Sequence, residues 1–398
     1  MNVKAWPPRS VSSLLGFLLS RLGSSRWRAG IVGLLAGALY GVWAIRYLMR
    51  HSIYDLAAVG TQLLAKGHGS SKPIDALAPH AISGGYDGQF SLYIALDPTH
   101  AHHYIDEPTY RLGRILYPLV ARVLAGGQAG AIPWAFLLVN IAAVVLGTFG
   151  LALLLLRKSV SPWPALLFGC SPALFIAVDR DITEPLAYAL VIAAVLAFDS
   201  GRFLTSGVVF GLAGITRETT LLFALALTCM VALGLGAKRR RPTDVMLFVG
   251  LAVGPYIWLR VALFAWLGKD PPPGAVSPTW LPFSGLFGQP NAVALYEQLY
   301  SVVLPGFLAL AAILLLLARR KMAMALPLAL NVLVLIVLLP KASYASFQSS
   351  GRITLGVVVA FVICLPHVPP KYRTAAIIVP ALLWFAPWDT FFPIAFLG

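Results

Sequence analysis

The sequence predicts an all-α, polytopic integral membrane protein, a single transmembrane domain over residues 1–398 with about eleven spans (ten to twelve) of about 20 apolar residues each. Three observations predict it. The chain is 59% hydrophobic and only 11% charged, against about 25% charged in an ordinary soluble domain. Its mean hydropathy is +0.82. Long apolar runs recur along its whole length, and the basic residues sort into alternate gaps between them.

The runs fall at 29–49, 131–156, 163–179, 184–198, 203–217, 219–236, 243–267, 299–318, 322–340, 352–366 and 374–396. The fourth, fifth and tenth are short for a bilayer, which leaves them as untilted, broken or re-entrant segments. Placing the N-terminus in the cytoplasm puts seventeen basic residues on the inner side against two acids, Asp199 and Asp244. They include Arg26, Arg28, Arg157, Lys158, Arg202, the Lys238–Arg241 run, Arg319, Arg320 and Lys321. The net charge of +15 thus lies on one side, the positive-inside bias that orients membrane proteins. The first run is longer than a signal-peptide core and lacks a small-x-small cleavage site, so it is expected to stay as the first span.

This composition excludes a soluble globule and a disordered chain. It also argues against nucleic-acid binding. The pI is near 10.0, but the cations alternate with spans instead of forming one stripe. Cys170, Cys229 and Cys364 all lie in apolar stretches and imply no disulfide framework.

Two long segments are expected outside: 50–130, with candidate catalytic motifs and short interfacial helices, and the Pro-rich 268–298. Long loops in compact proteins are usually functional or disordered. Twelve of the fifteen acids fall on the outer side. Several abut apolar spans, where ionisable groups are expensive and mark function.

Five constellations stand out. In Gly84-Gly85-Tyr86-Asp87-Gly88-Gln89-Phe90, glycines flank an acid at the mouth of a short helix. Asp87 is either a general base there, with Tyr86 and Gln89 as neighbouring acceptor contacts, or an N-cap. Asp97 follows ten residues on. In Asp106-Glu107-Pro108-Thr109-Tyr110-Arg111-Leu112-Gly113-Arg114, the two arginines share a helical face that suits a phosphate. Pairing with Asp106 and Glu107 is the plainer alternative. The turn Asp179-Arg180-Asp181-Ile182-Thr183-Glu184-Pro185 is either a capped hairpin or a second carboxylate site for an acceptor or a metal. Arg217-Glu218 breaks an apolar stretch, as a local ion pair or as ligands. Gly351-Arg352 opens a late span, as an anchor or as a phosphate ligand. Arg111, Arg114, Arg217 and Arg352 are therefore four candidate phosphate ligands. His102, His103 and Asp106 lie in a stretch rich in His and acids that matches no standard zinc spacing. It leaves an oxygen-rich Mg²⁺ or Mn²⁺ site open, and no cofactor is called for otherwise.

Gly85-Tyr86-Asp87-Gly88-Gln89-Phe90, Ala95-Leu96-Asp97-Pro98, Tyr110-Arg111 and Arg114-Ile115-Leu116-Tyr117-Pro118 resemble the GT-C superfamily of polytopic membrane glycosyltransferases. The likeness is to the bacterial branch linked to cell-surface glycopolymer formation. It covers roughly residues 30–365. It implies an inner-membrane enzyme of the cell envelope that moves a sugar from a polyprenyl-phosphate donor to a glycan, lipid or protein acceptor at the extracytoplasmic face. It also implies inversion at the anomeric carbon, basic residues on the lipid phosphate, and an acid in the first outer loop. That acid maps to Asp87, with Asp97 second. The chain departs from the pattern in lacking an adjacent acidic pair after the first span, where Asp55 stands alone. It also leaves no room for a large soluble C-terminal domain. The rival classes are a transporter or lipid-linked-glycan flippase, and a non-catalytic subunit of a surface-glycopolymer assembly system. A transporter would bury charges at the bilayer midplane within interrupted helices; here the charges gather at the outer ends of the spans.

Overall fold

The structure is a computed structural model that describes residues 25–234, 241–268, 281, 283–284, 292–338, 341–344 and 346–388. Three expectations lie wholly or mostly outside the described residues. These are the basic run Lys238–Arg240, most of the segment 268–298, and the end of the last run beyond Trp388. Among the described residues the fold is all-α. It has no strand, and a single bridge joins Gly60 to Ile82.

Each of the eleven predicted runs contains helix. Among the described residues, four helices are long and apolar enough to cross a membrane: Arg26–Leu48, Ala129–Arg157, Pro242–Leu267 and Phe347–His367. Shorter apolar helices occupy Phe203–Thr216, Glu218–Ala232, Leu304–Ala318 and Ala325–Val337. The run 163–179 is broken. A short helix Leu166–Gly169 ends before Pro172, and Ser171 is extended at φ −63°, ψ 132°. Proline disfavours the helical region for its predecessor, so the chain turns there before Pro172–Asp179 begins.

Small residues bring the long helices together. A Cβ on Gly33 would lie 2.9 Å from the Val145 carbonyl oxygen, and one on Gly37 would lie 2.5 Å from the Val145 side chain. The helix Ser25–Leu48 thus packs directly along Ile132–Arg157. Gly207 and Gly211, four residues apart, do the same for Phe203–Thr216 against Phe248, Leu251 and Pro255 of Pro242–Leu267, a small-xxx-small contact. The outer side of Pro242–Leu267 shows Met246, Ile257, Trp258, Val261 and Phe264. So continuous an apolar surface suits a lipid surrounding.

Residues 50–130 form a folded cap rather than an open loop. They have their own apolar core, in which Leu92, Tyr93, Tyr104, Ile105 and Tyr117 are fully buried together with Phe136 of the helix below. Asp55 serves this cap locally. Its carboxylate accepts from the Ser52 amide at 2.9 Å, while the Ser52 hydroxyl accepts from the Tyr54 amide.

Candidate functional site

Where the cap meets the helix bundle, the Gly-Tyr-Asp-Gly-Gln-Phe stretch is fixed residue by residue. The Tyr86 amide donates to the Ala58 carbonyl at 2.8 Å, and its hydroxyl donates to the Gln348 carbonyl at 3.1 Å. Gly88 lies against the backbone of Arg180 and Ala57, where any Cβ would overlap the Arg180 carbonyl oxygen. Gln89 is buried. Its Oε1 accepts from the Gly60 amide at 2.9 Å and the Tyr93 hydroxyl at 3.2 Å. Phe90 carries the Arg111 guanidinium over its ring, 4.2 Å from the centroid.

Asp87 stands at the N-cap position of the helix Gly88–Leu96 but makes no side-chain cap bond. Its carboxylate is instead shared by two arginines. Arg111 Nη1 lies 3.1 Å from Oδ1, and Arg352 Nη2 lies 2.5 Å from Oδ2. Burial by itself would push the Asp87 carboxyl up, but the Arg352 and Arg111 guanidiniums outweigh it and hold the group well below the usual carboxylate range.

A small cavity opens beside this carboxylate, lined among others by Asp87, Ser91, Arg111, Arg114, Glu184 and Arg352. Its volume is only about 20 Å³. That is room for little more than one water. All the arginines around it are matched with acids. Arg111 also binds Asp106 at 3.2 Å, and Arg114 reaches Glu218 at 2.6 Å. Arg217 reaches Glu184 at 2.8 Å. Arg352 faces Glu184 more loosely, 3.7 Å from Oε1, and its Nε and Nη1 make no hydrogen bond among the described residues. A buried group is expected to be bonded; these two donors, like Arg217 Nε and Nη1, have no hydrogen-bond partner among the described residues.

The sequence-predicted residues thus divide. Asp87, Arg111, Arg114, Glu184 and Arg352 line one cavity, with Tyr86 stacked 5.1 Å under the Arg352 guanidinium. Arg217 lies behind Glu184, outside the cavity lining. Asp179 pairs with Arg180 at 3.3 Å. Asp181 is 1% exposed, and among the described residues neither of its oxygens has a hydrogen-bond partner. Burial and the neighbouring Asp179 push its pKa well up. His102 faces the Trp266 ring, with the His103 ring 3.9 Å away. Asp106 turns to Arg111. No group of three or more His, Cys, Asp or Glu side chains gathers into a metal-holding set among the described residues.

Asp97 lies apart, at the C-terminal end of the helix Gly88–Leu96. Its oxygens accept from Ser71 Oγ at 2.7 Å, from Thr99 Oγ1 at 2.8 Å and from the His100 amide. These bonds outweigh the upward push of burial and bring its pKa to about 2. A carboxylate depressed on folding stabilises the fold above its unfolded pKa, about 3.9, and loses that contribution as pH falls toward the folded value. Asp97→Asn is therefore expected to lower the melting temperature at pH 6. The gap to wild type should narrow between about pH 4 and pH 2. A gap that stays constant down to pH 3 would assign the effect to shape instead of charge.

Gly88 gives a second local test. Gly88→Ala forces backbone against backbone and is expected to cost about 1–3 kcal/mol. Gly84→Ala, with nothing within 4 Å of the added carbon, should be neutral. Thermal unfolding of the two variants in detergent compares them, and equal melting temperatures would contradict the packing at Gly88.

Sequence reading passed over Arg260. It sits in the apolar helix Pro242–Leu267 and donates to the Thr109 carbonyl, tying that helix to the short helix Pro108–Leu112 that carries Arg111. A lone arginine in a 26-residue apolar helix is the signal that could have found it.

The fold and site define an all-α, largely apolar protein with a charge-lined cavity under a folded cap. No family model matches the chain, and neither a curated protein nor a solved structure does.

Proposed function

We propose that this chain is a membrane glycosyltransferase of the GT-C kind, acting at the extracytoplasmic face of a plasma membrane on a polyprenyl-phosphate sugar. The observation that supports it best is Asp87, an ionised carboxylate held between Arg111 and Arg352 in a cavity at one end of the helix bundle. Glu184, Arg217 and Glu218 lie at that same end. Arg157, Lys158 and Asp199 pair with one another at the opposite end of the helices Ile132–Arg157 and Glu184–Asp199.

In this reading the acceptor hydroxyl oxygen bonds to the anomeric carbon while the bond from that carbon to the lipid-phosphate oxygen breaks. Asp87 takes the hydroxyl proton, and the lipid phosphate leaves with the bonding pair. Attack from the face opposite the leaving group inverts the centre. Arg111 and Arg352 meet the charge that develops on the phosphate, with Arg114 beside them, and fixed cations at such a position lower the barrier substantially. The cavity as folded is too small for a sugar or an acceptor, so on this reading the site has to open before transfer.

The test is transfer of labelled sugar by membranes containing the protein, from a panel of polyprenyl-phosphate sugars. Transfer above that of membranes lacking the protein is expected with at least one donor. No transfer from any donor, with the protein shown to be folded, would sink the reading.

A further inference from the structure

Each arginine lining this site is already paired with one of the protein's own acids, although Arg352 Nε and Nη1 make no hydrogen bond among the described residues. Arg114 is held by two contacts to Glu218, at 2.9 and 2.6 Å. Glu184 is fully buried beside Arg217. A phosphate that takes the facing donors of Arg111 and Arg352 together therefore has to take the place of the Asp87 carboxylate between them. Among the acids, Asp87 is suited to give way. It lines the cavity, its side chain is 22% exposed where that of Glu184 is fully buried, and each of its two oxygens holds a different arginine.

Resting on the glycosyltransferase reading, we propose that Asp87 is an internal stand-in for the donor phosphate, so that a phosphate group binds to Arg111 and Arg352 by displacing the Asp87 carboxylate. Two oxygens of one carboxylate on two guanidiniums is the pattern that two oxygens of a phosphate would reproduce. The exchange also times the chemistry. While paired, Asp87 is too weakly basic to take a proton; once the arginines turn to phosphate, its basicity returns toward that of an ordinary carboxylate. The acid then becomes competent only when the donor is seated, which guards the intermediate geometry against idle proton transfer.

Removing the acid should then tighten phosphate binding. Binding of inorganic phosphate and of a prenyl monophosphate is measured by calorimetry on the full chain in detergent. Asp87→Asn is expected to bind both about tenfold more tightly than wild type, a change of about 1.4 kcal/mol. Arg352→Gln and Arg111→Gln should each weaken both. Asp87→Asn binding no tighter than wild type, while the arginine variants weaken, would overturn the stand-in and leave the phosphate reading intact. Unchanged prenyl-phosphate binding in both arginine variants would overturn the phosphate reading itself. A gain confined to the prenyl compound would also overturn the stand-in, because it would come from the chain and not the phosphate. Should Asp87→Asn fail to fold, Asp106→Asn tests the same competition. Its side chain is 45% exposed and it shares Arg111, so about threefold tightening is expected from freeing one of two partners, and none would count against the idea.

Discussion

Asp87→Asn is expected to lower sugar transfer by about 10²–10⁴-fold, the usual worth of a positioned general base. Asparagine keeps the volume but has one acceptor oxygen, so it can accept from only one of Arg111 and Arg352, with its amide NH2 turned to the other. What it cannot do is take a proton. The loss should therefore fall on turnover and not on donor affinity, which the displacement argument expects to rise. Asp87→Glu keeps the charge but adds a methylene, and partial activity there would separate a missing base from a distorted cavity. Turnover of Asp87→Asn within about threefold of wild type would remove Asp87 from the proton transfer.

Glu184→Ala is expected to be the most destabilising single change at the site, by about 3–5 kcal/mol. Glu184 is fully buried, and the Arg217 side chain paired with it is only 4% exposed. Removing the acid leaves a guanidinium in a low-dielectric surrounding with no countercharge, a cost much larger than the net worth of the pair. The double variant Glu184→Leu with Arg217→Met removes both charges and should recover most of the loss, since two buried ions then no longer need desolvating. Thermal unfolding of the single and double variants in detergent reads both effects. A single variant as stable as wild type would mean that Arg217 finds water or another acid.

The helices were legible because apolar periodicity and length are local properties. Asp87 was legible as an unusual acid because glycines surround it, but a base and an N-cap predict the same sequence there. Only the carboxylate's direction, toward Arg111 and Arg352 and not toward the helix amides, separates them. The expectation for Arg217-Glu218 was a local pair or a pair of ligands. The structure gives each residue a partner from another segment instead: Glu184 for Arg217, Arg114 for Glu218. Adjacent residues at a helix boundary point different ways, so sequence neighbours are poor guides to ionic partners. The segment 50–130 looked like a long loop because its apolar residues come in short helices, too brief for periodicity to reveal the core they share.

By itself, then, the sequence determined an all-α chain rich in apolar helix, the ends at which its charges gather, and the short list of acids and arginines able to act. Helix formation and apolar burial depend on composition and spacing along the chain, and both are written there. Tertiary structure decided which charges meet. Asp87 and Arg352 are 265 residues apart, and their contact exists because Tyr86 is tied to Gln348 while Gly88 lets its helix settle onto the Arg180 backbone. An ion pair needs two groups within a few ångströms, and that distance is set by how helices pack, which no local pattern encodes.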